Sequence, residues 1–309
     1  MPEIVNKEIV RLLEILDGKK WAERYNGVFW SCEIPWLTEN RLLRPLSLPH
    51  TIQNVNRKDV KKLISESHTL VAYWSDLWDN GESAWWWTSC DNKVYDIENI
   101  TDKNGRRDIR KGLRECTIQR LEPADFVEHS YPIYSSAFHT YEYHDLRDFS
   151  KEQYSEYIFN KSRYPGYELW GAFVHDKMAA YASAVIMDNA VLLDSAKSDG
   201  GLQKHCPNNA LFYLMTKHYL VEREKLYITN GPRTLLHPTN INDMLIRMGY
   251  RKIYCRLNLE LSMTAKLILL TGVRKWYKYL TIFRDKFPGP LAKLQSFLTL
   301  VEISRTFKI

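Results

Sequence analysis

Between Glu168 and Leu257 the sequence alternates strand-like and helix-like stretches in an order that leaves few folds open. Glu168–Val174, Met178–Met187 and Ala190–Ala196 are β-rich runs separated by short turns, His175-Asp176-Lys177 and Asp188-Asn189. That pattern predicts three consecutive antiparallel strands. A polar, glycine-bearing segment follows, Lys197 to Cys206. Pro207 stands where a helix favours its first residue, and the spacing predicts a helix over Asn208–Glu224. Leu226–Thr229 reads as a short strand ended by Asn230-Gly231-Pro232, Asn240–Met248 as a helix stopped by Gly249, and Arg251–Leu257 as a last strand. Such a mixture predicts an α/β (mixed α+β) fold.

The preceding half is less regular. Helices are expected over Pro2–Gly18, Arg57–Ser67, Arg106–Leu113, Phe126–Phe138 and Lys151–Lys161. Strands are expected at Val28–Trp30, Leu70–Tyr73 and Ser83–Ser89, with Asp79-Asn80-Gly81 as turn punctuation. Asp91-Asn92-Lys93 reads as a hairpin-like turn into Val94–Ile97.

With 45% hydrophobic and 26% charged residues in 309, the chain has the balance of a soluble globular protein, and it carries no bilayer-spanning apolar run. The first residues spread acids through an amphipathic pattern unlike a secretory signal. Five scattered cysteines make no C-x-x-C pair, which argues against a disulfide scaffold or zinc ribbon. Together these features lead us to expect a cytoplasmic protein without a metal. Charge is uneven. Residues 261–309 hold nine Lys and Arg against two Asp and Glu, so this tail carries +7 and the rest, at −1, is nearly neutral. A near-neutral body does not predict a nucleic-acid binder. The tail, with Leu267–Leu270, Trp276, Tyr277, Tyr279, Leu280 and Phe283 among its cations, suits either an anionic membrane surface or a cover over the first lobe. The cover is the preferred reading.

The order of elements resembles the core of the GNAT superfamily of acyl-CoA-dependent N-acyltransferases. It is most similar to the Fem-like and nucleotide-sugar branches, which have two GNAT-like lobes. The resemblance spans about residues 106–257 and rests on Lys204-His205-Cys206-Pro207-Asn208-Asn209-Ala210-Leu211, on Met248-Gly249-Tyr250 and on Arg106-Arg107-Asp108-Ile109-Arg110-Lys111. It implies an N-terminal lobe over 1–120, a GNAT domain with the acyl-CoA site over 121–260 and a basic helical extension over 261–309. The chain departs from the family twice. Of the pyrophosphate motif, Gln203-x-x-Cys206-x-Asn208 keeps only its first position, and the helix position that often carries a tyrosine acid is Leu245.

A helix start has unpaired N–H groups and partial positive charge, so the stretch Gly200-Gly201 to Pro207-Asn208-Asn209 is the expected phosphate cradle; an ordinary helix start is the competing reading. By the resemblance, Ser195, Ala196 and Lys197 present backbone to the thioester, and Asn230 orients the acceptor or bonds the co-substrate, unless it is only a turn residue. An amine attacking a thioester must shed a proton. Asp194 is the first candidate base, with His205 and His237 as rivals, although an acid at a strand end also serves as a turn cap. In Trp85-Trp86-Trp87, alternation sends Trp85 and Trp87 to one face, where they stack a base or sugar ring or else pack between lobes. Arg106, Arg107 and Arg110 suit a nucleotide diphosphate, or form a solvated helix face.

The expected activity is therefore acyl-CoA-dependent acylation, by direct amine attack, of a nucleotide-linked sugar for surface polysaccharide assembly. The leading acceptor class is a dTDP-linked 3-amino-3,6-dideoxyhexose. Two alternatives stand beside it: a Fem-type transferase using aminoacyl-tRNA on a cell-wall precursor, and a non-enzymatic protein that docks to a membrane or partner through its tail.

Overall fold

The computed structural model describes residues 28–31, 34–39, 41–52, 54–140, 149–235, 240–280 and 288–309. The expected helix over Pro2–Gly18 and the candidate base His237 lie outside the described residues.

Among the described residues, twelve strands build two sheets. The smaller runs β1 (Val28–Ser31), β2 (Ile34–Glu39), β3 (Leu42–Pro45), β4 (Val71–Asp76) and β12 (Arg256–Leu261) in spatial order. The larger runs β11 (Arg251–Tyr254), β5 (Trp86–Cys90), β10 (Ile228–Pro232), β9 (Ala190–Ser198), β8 (Lys177–Met187), β7 (Tyr167–Val174) and β6 (Thr117–Leu121). The three expected antiparallel strands are β7, β8 and β9, turning at His175 and at Asp188-Asn189, all with positive φ. β7 is buried along its whole length because helices cover both faces of the sheet. On one side lie α3 (Pro123–Thr140) and α4 (Lys151–Ser162), whose Phe126, Tyr154 and Ile158 meet Leu169, Tyr181 and Val185. On the other lie α2 (Lys103–Glu115) and α5 (Pro207–Lys217), whose Ile109, Leu211 and Met215 meet Ala172, Ala182 and Val191.

Strands are exchanged between the two halves of the chain. β5, from the first half, sits beside β10, and β12, from the second, sits beside β4. The stretch expected as one strand, Arg251–Leu257, breaks at the buried Cys255 so that β11 pairs with β5 in one sheet and β12 with β4 in the other. The expected strand at Val94–Ile97 does not form. Both edges of β5 are taken by β10 and β11, so no ladder is left for a hairpin partner, and the chain makes a single 3-10 turn at Ile97–Asn99. Asn230-Gly231-Pro232 continues β10 across a register shift rather than ending it. The helix expected to reach Glu224 is α-helical only to Lys217 and widens into a π-turn over His218–Glu222.

Each sheet contains one unit of the same form. β3 leads through a 3-10 turn, Pro49–Thr51, and helix α1 (Arg57–Glu66) to β4, and the two strands pair in parallel at Leu42–Val71 and Leu43–Ala72. β9 leads through a 3-10 turn, Gly200–His205, and α5 to β10, pairing in parallel at Val191–Ile228 and Leu192–Thr229.

The chain closes with α6 (Ile241–Arg247) before β11 and with α7 (Met263–Leu270), α8 (Val273–Leu280) and α9 (Pro288–Ile303) after β12. Leu300 and Ile303 of α9 bury against Trp85, Cys255 and Leu257 where the sheets meet, and Glu82 pairs with Lys308. This part of the basic tail is a cover.

Candidate active site

β9 outlasts its parallel partner. After Leu192 and Thr229 the two strands part, and β9 runs on to Ser198 with β10 no longer beside it. A cleft of about 590 Å³ opens there. Its lining mixes apolar Ala196, Phe212, Ile241 and Met244 with polar Lys197, Ser198, Asn208, Asn209, Asn240 and Arg247.

The start of α5 forms one wall. Cys206, in the left-handed conformation (φ 54°), occupies the cap position and makes no side-chain cap bond, and Pro207 follows as the first helical residue. The positive end of the helix is thus presented to the cleft without a cap. Asn208 Nδ2 donates to Ser198 Oγ (3.2 Å), tying the helix start to the end of β9. Gly200, Asn208 and Asn209 all line the opening.

Both walls are held by α2. A Cβ on Gly112 would lie 2.5 Å from the carbonyl oxygen of Cys206, and one on Gly105 would lie 2.1 Å from that of Arg247. Only hydrogen fits at either contact, so the two glycines, seven residues apart on one helix face, fix the start of α5 and the end of α6. That spacing was visible in the sequence, but the backbone it meets, and with it the wall residues Asn240, Met244 and Arg247, is set by the tertiary fold.

The predicted site residues divide. Ala196, Lys197, Gly200, Pro207, Asn208 and Asn209 line the cleft together. Burial holds the Lys197 ammonium below the usual lysine range. Ser195 pairs with Ser183 in the β8–β9 ladder, and Gly201 N–H donates to Asp199 Oδ1 (2.8 Å). Asn230 Nδ2 donates to Asn242 Oδ1 (3.0 Å), which also accepts from Thr88 Oγ1 (2.9 Å). Asn242 of α6 is buried and gave no signal in the sequence.

Asp194 is the extra residue of a β-bulge, between the pairs Ser183–Ser195 and Ala184–Leu193. Its carboxylate does not line the cleft. It accepts from Lys161 Nζ (2.5 Å), Tyr167 O–H (3.1 Å) and Ser183 Oγ (3.4 Å). Burial alone would raise its pKa, but the Lys161 ammonium and these hydrogen bonds outweigh burial and hold the carboxyl below the usual range. A carboxylate so engaged is a weaker base than a free one. His205 Nδ1 bonds Glu115 Oε2 at 2.7 Å and lines a second cleft, beside His129 and His175.

The expected nucleotide face is corrected in part. Trp85 is 3% exposed in the joint between the sheets, where it donates to Ser75 Oγ (2.8 Å), so it packs and does not stack a ligand. Trp87 shares that hydroxyl (3.4 Å) and stays half-buried. Arg106 donates to the carbonyls of Ile100 and Thr101, and Arg110 pairs with Glu98 (2.6 Å). Arg107 pairs with Asp108 (2.8 Å) while its side chain stays 70% exposed.

The sheet order, the short parallel pair that splays and the helix start at the splay together define the GNAT-like acyltransferase fold. Solved structures share it. FemX superposes with a TM-score of 0.57 at 9% identity, covering 86% of this chain and 98% of that one. L-PGS from Bacillus licheniformis gives 0.55 at 12% identity over 85% and 96%. The C-terminal domain of an Agrobacterium fabrum protein assigned as a lysylphosphatidylglycerol synthetase gives 0.55 at 11% identity over 86% and 96%. No protein-family model matches the sequence, and no curated protein does.

Proposed function

We infer that this chain is an N-acyltransferase whose acyl donor is carried on a phosphate-bearing thioester, acyl-CoA, held in the β9–β10 cleft. The observation that carries the reading is the start of α5, without a side-chain cap, at a cleft where β9 and β10 part. Amides of the first turn of α5 would receive the phosphates, and Phe212, Ile241 and Met244 would take the carrier's arm. The unpaired edge of β9 near Ala196 would offer N–H groups to the thioester carbonyl. Burial raises the Cys206 thiol above its usual range, with Asp108 adding to that effect, which keeps the sulfur protonated and supports direct attack by the acceptor amine over an acyl-cysteine. A nucleotide-linked amino sugar is the proposed acceptor, with Trp87 and the exposed Arg107 as the remaining contacts for it.

A second reading, the Fem-type transferase using an aminoacyl group, is supported by the likeness to a domain assigned to lysylphosphatidylglycerol synthesis, whose name points to a lysyl cargo. One experiment separates the two. Mass spectrometry of products from pooled acyl-CoAs and nucleotide amino sugars should show an acylated sugar. Product formed only with charged tRNA, and abolished by RNase, would replace acyl-CoA with the aminoacyl donor; absence of heat on calorimetric titration with any acyl-CoA would remove the donor assignment.

A further inference from the structure

The basic tail does two things at once. Its end, α9, closes the joint between the sheets, whereas its beginning, α7, turns an apolar face outward. Met263, Leu267 and Leu270 stand at i, i+4 and i+7 on one side of α7 and are 72%, 55% and 81% exposed. The helix is not a frayed end. Ser262 caps it by accepting from the Ala265 N–H (3.1 Å), Ala265 is buried, and Ser262 N–H is anchored to the carbonyl of Leu70 (2.9 Å). The stripe is therefore presented from a rigid base.

Beside it lies a pocket of about 460 Å³, lined by Lys61, Ser65, His68, Met263, Thr264 and Lys266. The nearly buried Glu260 carboxylate at its edge is shared by Arg57 (3.4 Å), Lys266 (3.8 Å) and Lys61 (3.9 Å), three cations around one anion. From Met263 to Leu280 the chain has four basic residues and no acidic one. Apolar side chains and a hollow lined by Lys61 and Lys266 thus meet on one short helix.

We propose that α7 and this pocket dock the protein on the surface of an anionic phospholipid bilayer, the stripe entering the acyl boundary and the pocket receiving a lipid phosphate. Three side chains on an eight-residue helix offer far less than the roughly 800 Å² per partner of a stable protein interface. A bilayer sets no such minimum, and it rewards each nearby cation separately. No helix among the described residues is long and apolar enough to cross a membrane. The proposal does not depend on the reading of the β9–β10 cleft.

Cosedimentation of the full chain with vesicles tests it. Vesicles of phosphatidylcholine with roughly one-quarter phosphatidylglycerol should bind at least tenfold more tightly than phosphatidylcholine alone at about 0.1 M salt, and the preference should shrink at about 0.5 M. The exposed double substitution Leu267→Glu, Leu270→Glu should lose at least tenfold in binding with an unchanged melting temperature. Lys61→Ala with Lys266→Ala should lower the preference for phosphatidylglycerol. No binding to either vesicle would overturn the proposal, as would binding that the leucine variant leaves intact. So would a concentration-dependent dimer by light scattering that the leucine variant dissolves while vesicles are ignored, since a second copy would then own the stripe.

Discussion

The two sheets carry the same strand, 3-10 turn, helix and parallel strand, and they finish it differently. In the smaller sheet the helix start is closed from within: Asn56 caps α1 by accepting from Lys58 N–H (3.0 Å). In the larger one Cys206, left-handed and without a cap bond, leaves the start of α5 facing a cleft. One unit ends in a closed cap and the other opens on a cleft. Local hydrogen-bond accounting, more than sheet order, tells them apart.

Substitutions that break this difference should rank by how much packing they disturb. Gly112→Val drives a side chain into the Cys206 carbonyl and Ala210, backbone that cannot yield. It should destabilise by about 3 kcal/mol and abolish binding of acyl-CoA, read as a lower urea midpoint and a flat calorimetric trace. Asp194→Ala strands Lys161 in a site where it is 14% exposed, and should cost about 2 kcal/mol while acyl-CoA binding survives. A full loss of transfer with unchanged stability would instead make Asp194 the base.

A matched pair then sharpens the contrast between the helix starts. Cys206→Asp sets a negative charge where the phosphates would sit and should weaken acyl-CoA binding about tenfold with little change in melting temperature. Asn56→Ala should do the reverse, lowering stability by about 1 kcal/mol and leaving the binding isotherm alone.

The smallest effect concerns the joint. His50, in the turn before α1, bonds the Asp188 carbonyl through Nε2 (3.1 Å) and Tyr227 O–H through Nδ1 (2.6 Å). The carbonyl can only accept, so Nε2 carries a proton. Burial lowers its pKa below 6.5 in spite of Asp188. The unfolded chain therefore takes up the proton first, and this contact's stability, complete above the unfolded value, is lost as pH falls through the folded one. Replacing His50 by Gln should flatten the fall in melting temperature between about pH 7 and about pH 5, by less than the Asn56 cap is worth.

The larger sheet was legible because its strands alternate cleanly, end at positive-φ turns and pass into a helix marked by Pro207. Much of the candidate cleft followed from that one junction. What the sequence hid was non-local. Nothing near Arg251 says that a strand will change sheets at Cys255, since that depends on which edges of β4 and β5 are vacant. Trp85 looked like a stacking surface until the sheets closed over it. Asp194 had the chemistry of a base, but Lys161, 33 residues away in the chain, had already engaged it.

The exchange of β5 and β12 carries a consequence for biosynthesis. A nascent chain released only as far as α2 would lack the neighbours of β5, and the first sheet would keep a raw edge along β4 until residue 261 emerged. Neither half can mature alone on the ribosome, and a premature stop anywhere before β12 should yield an aggregation-prone fragment rather than a shortened folded protein.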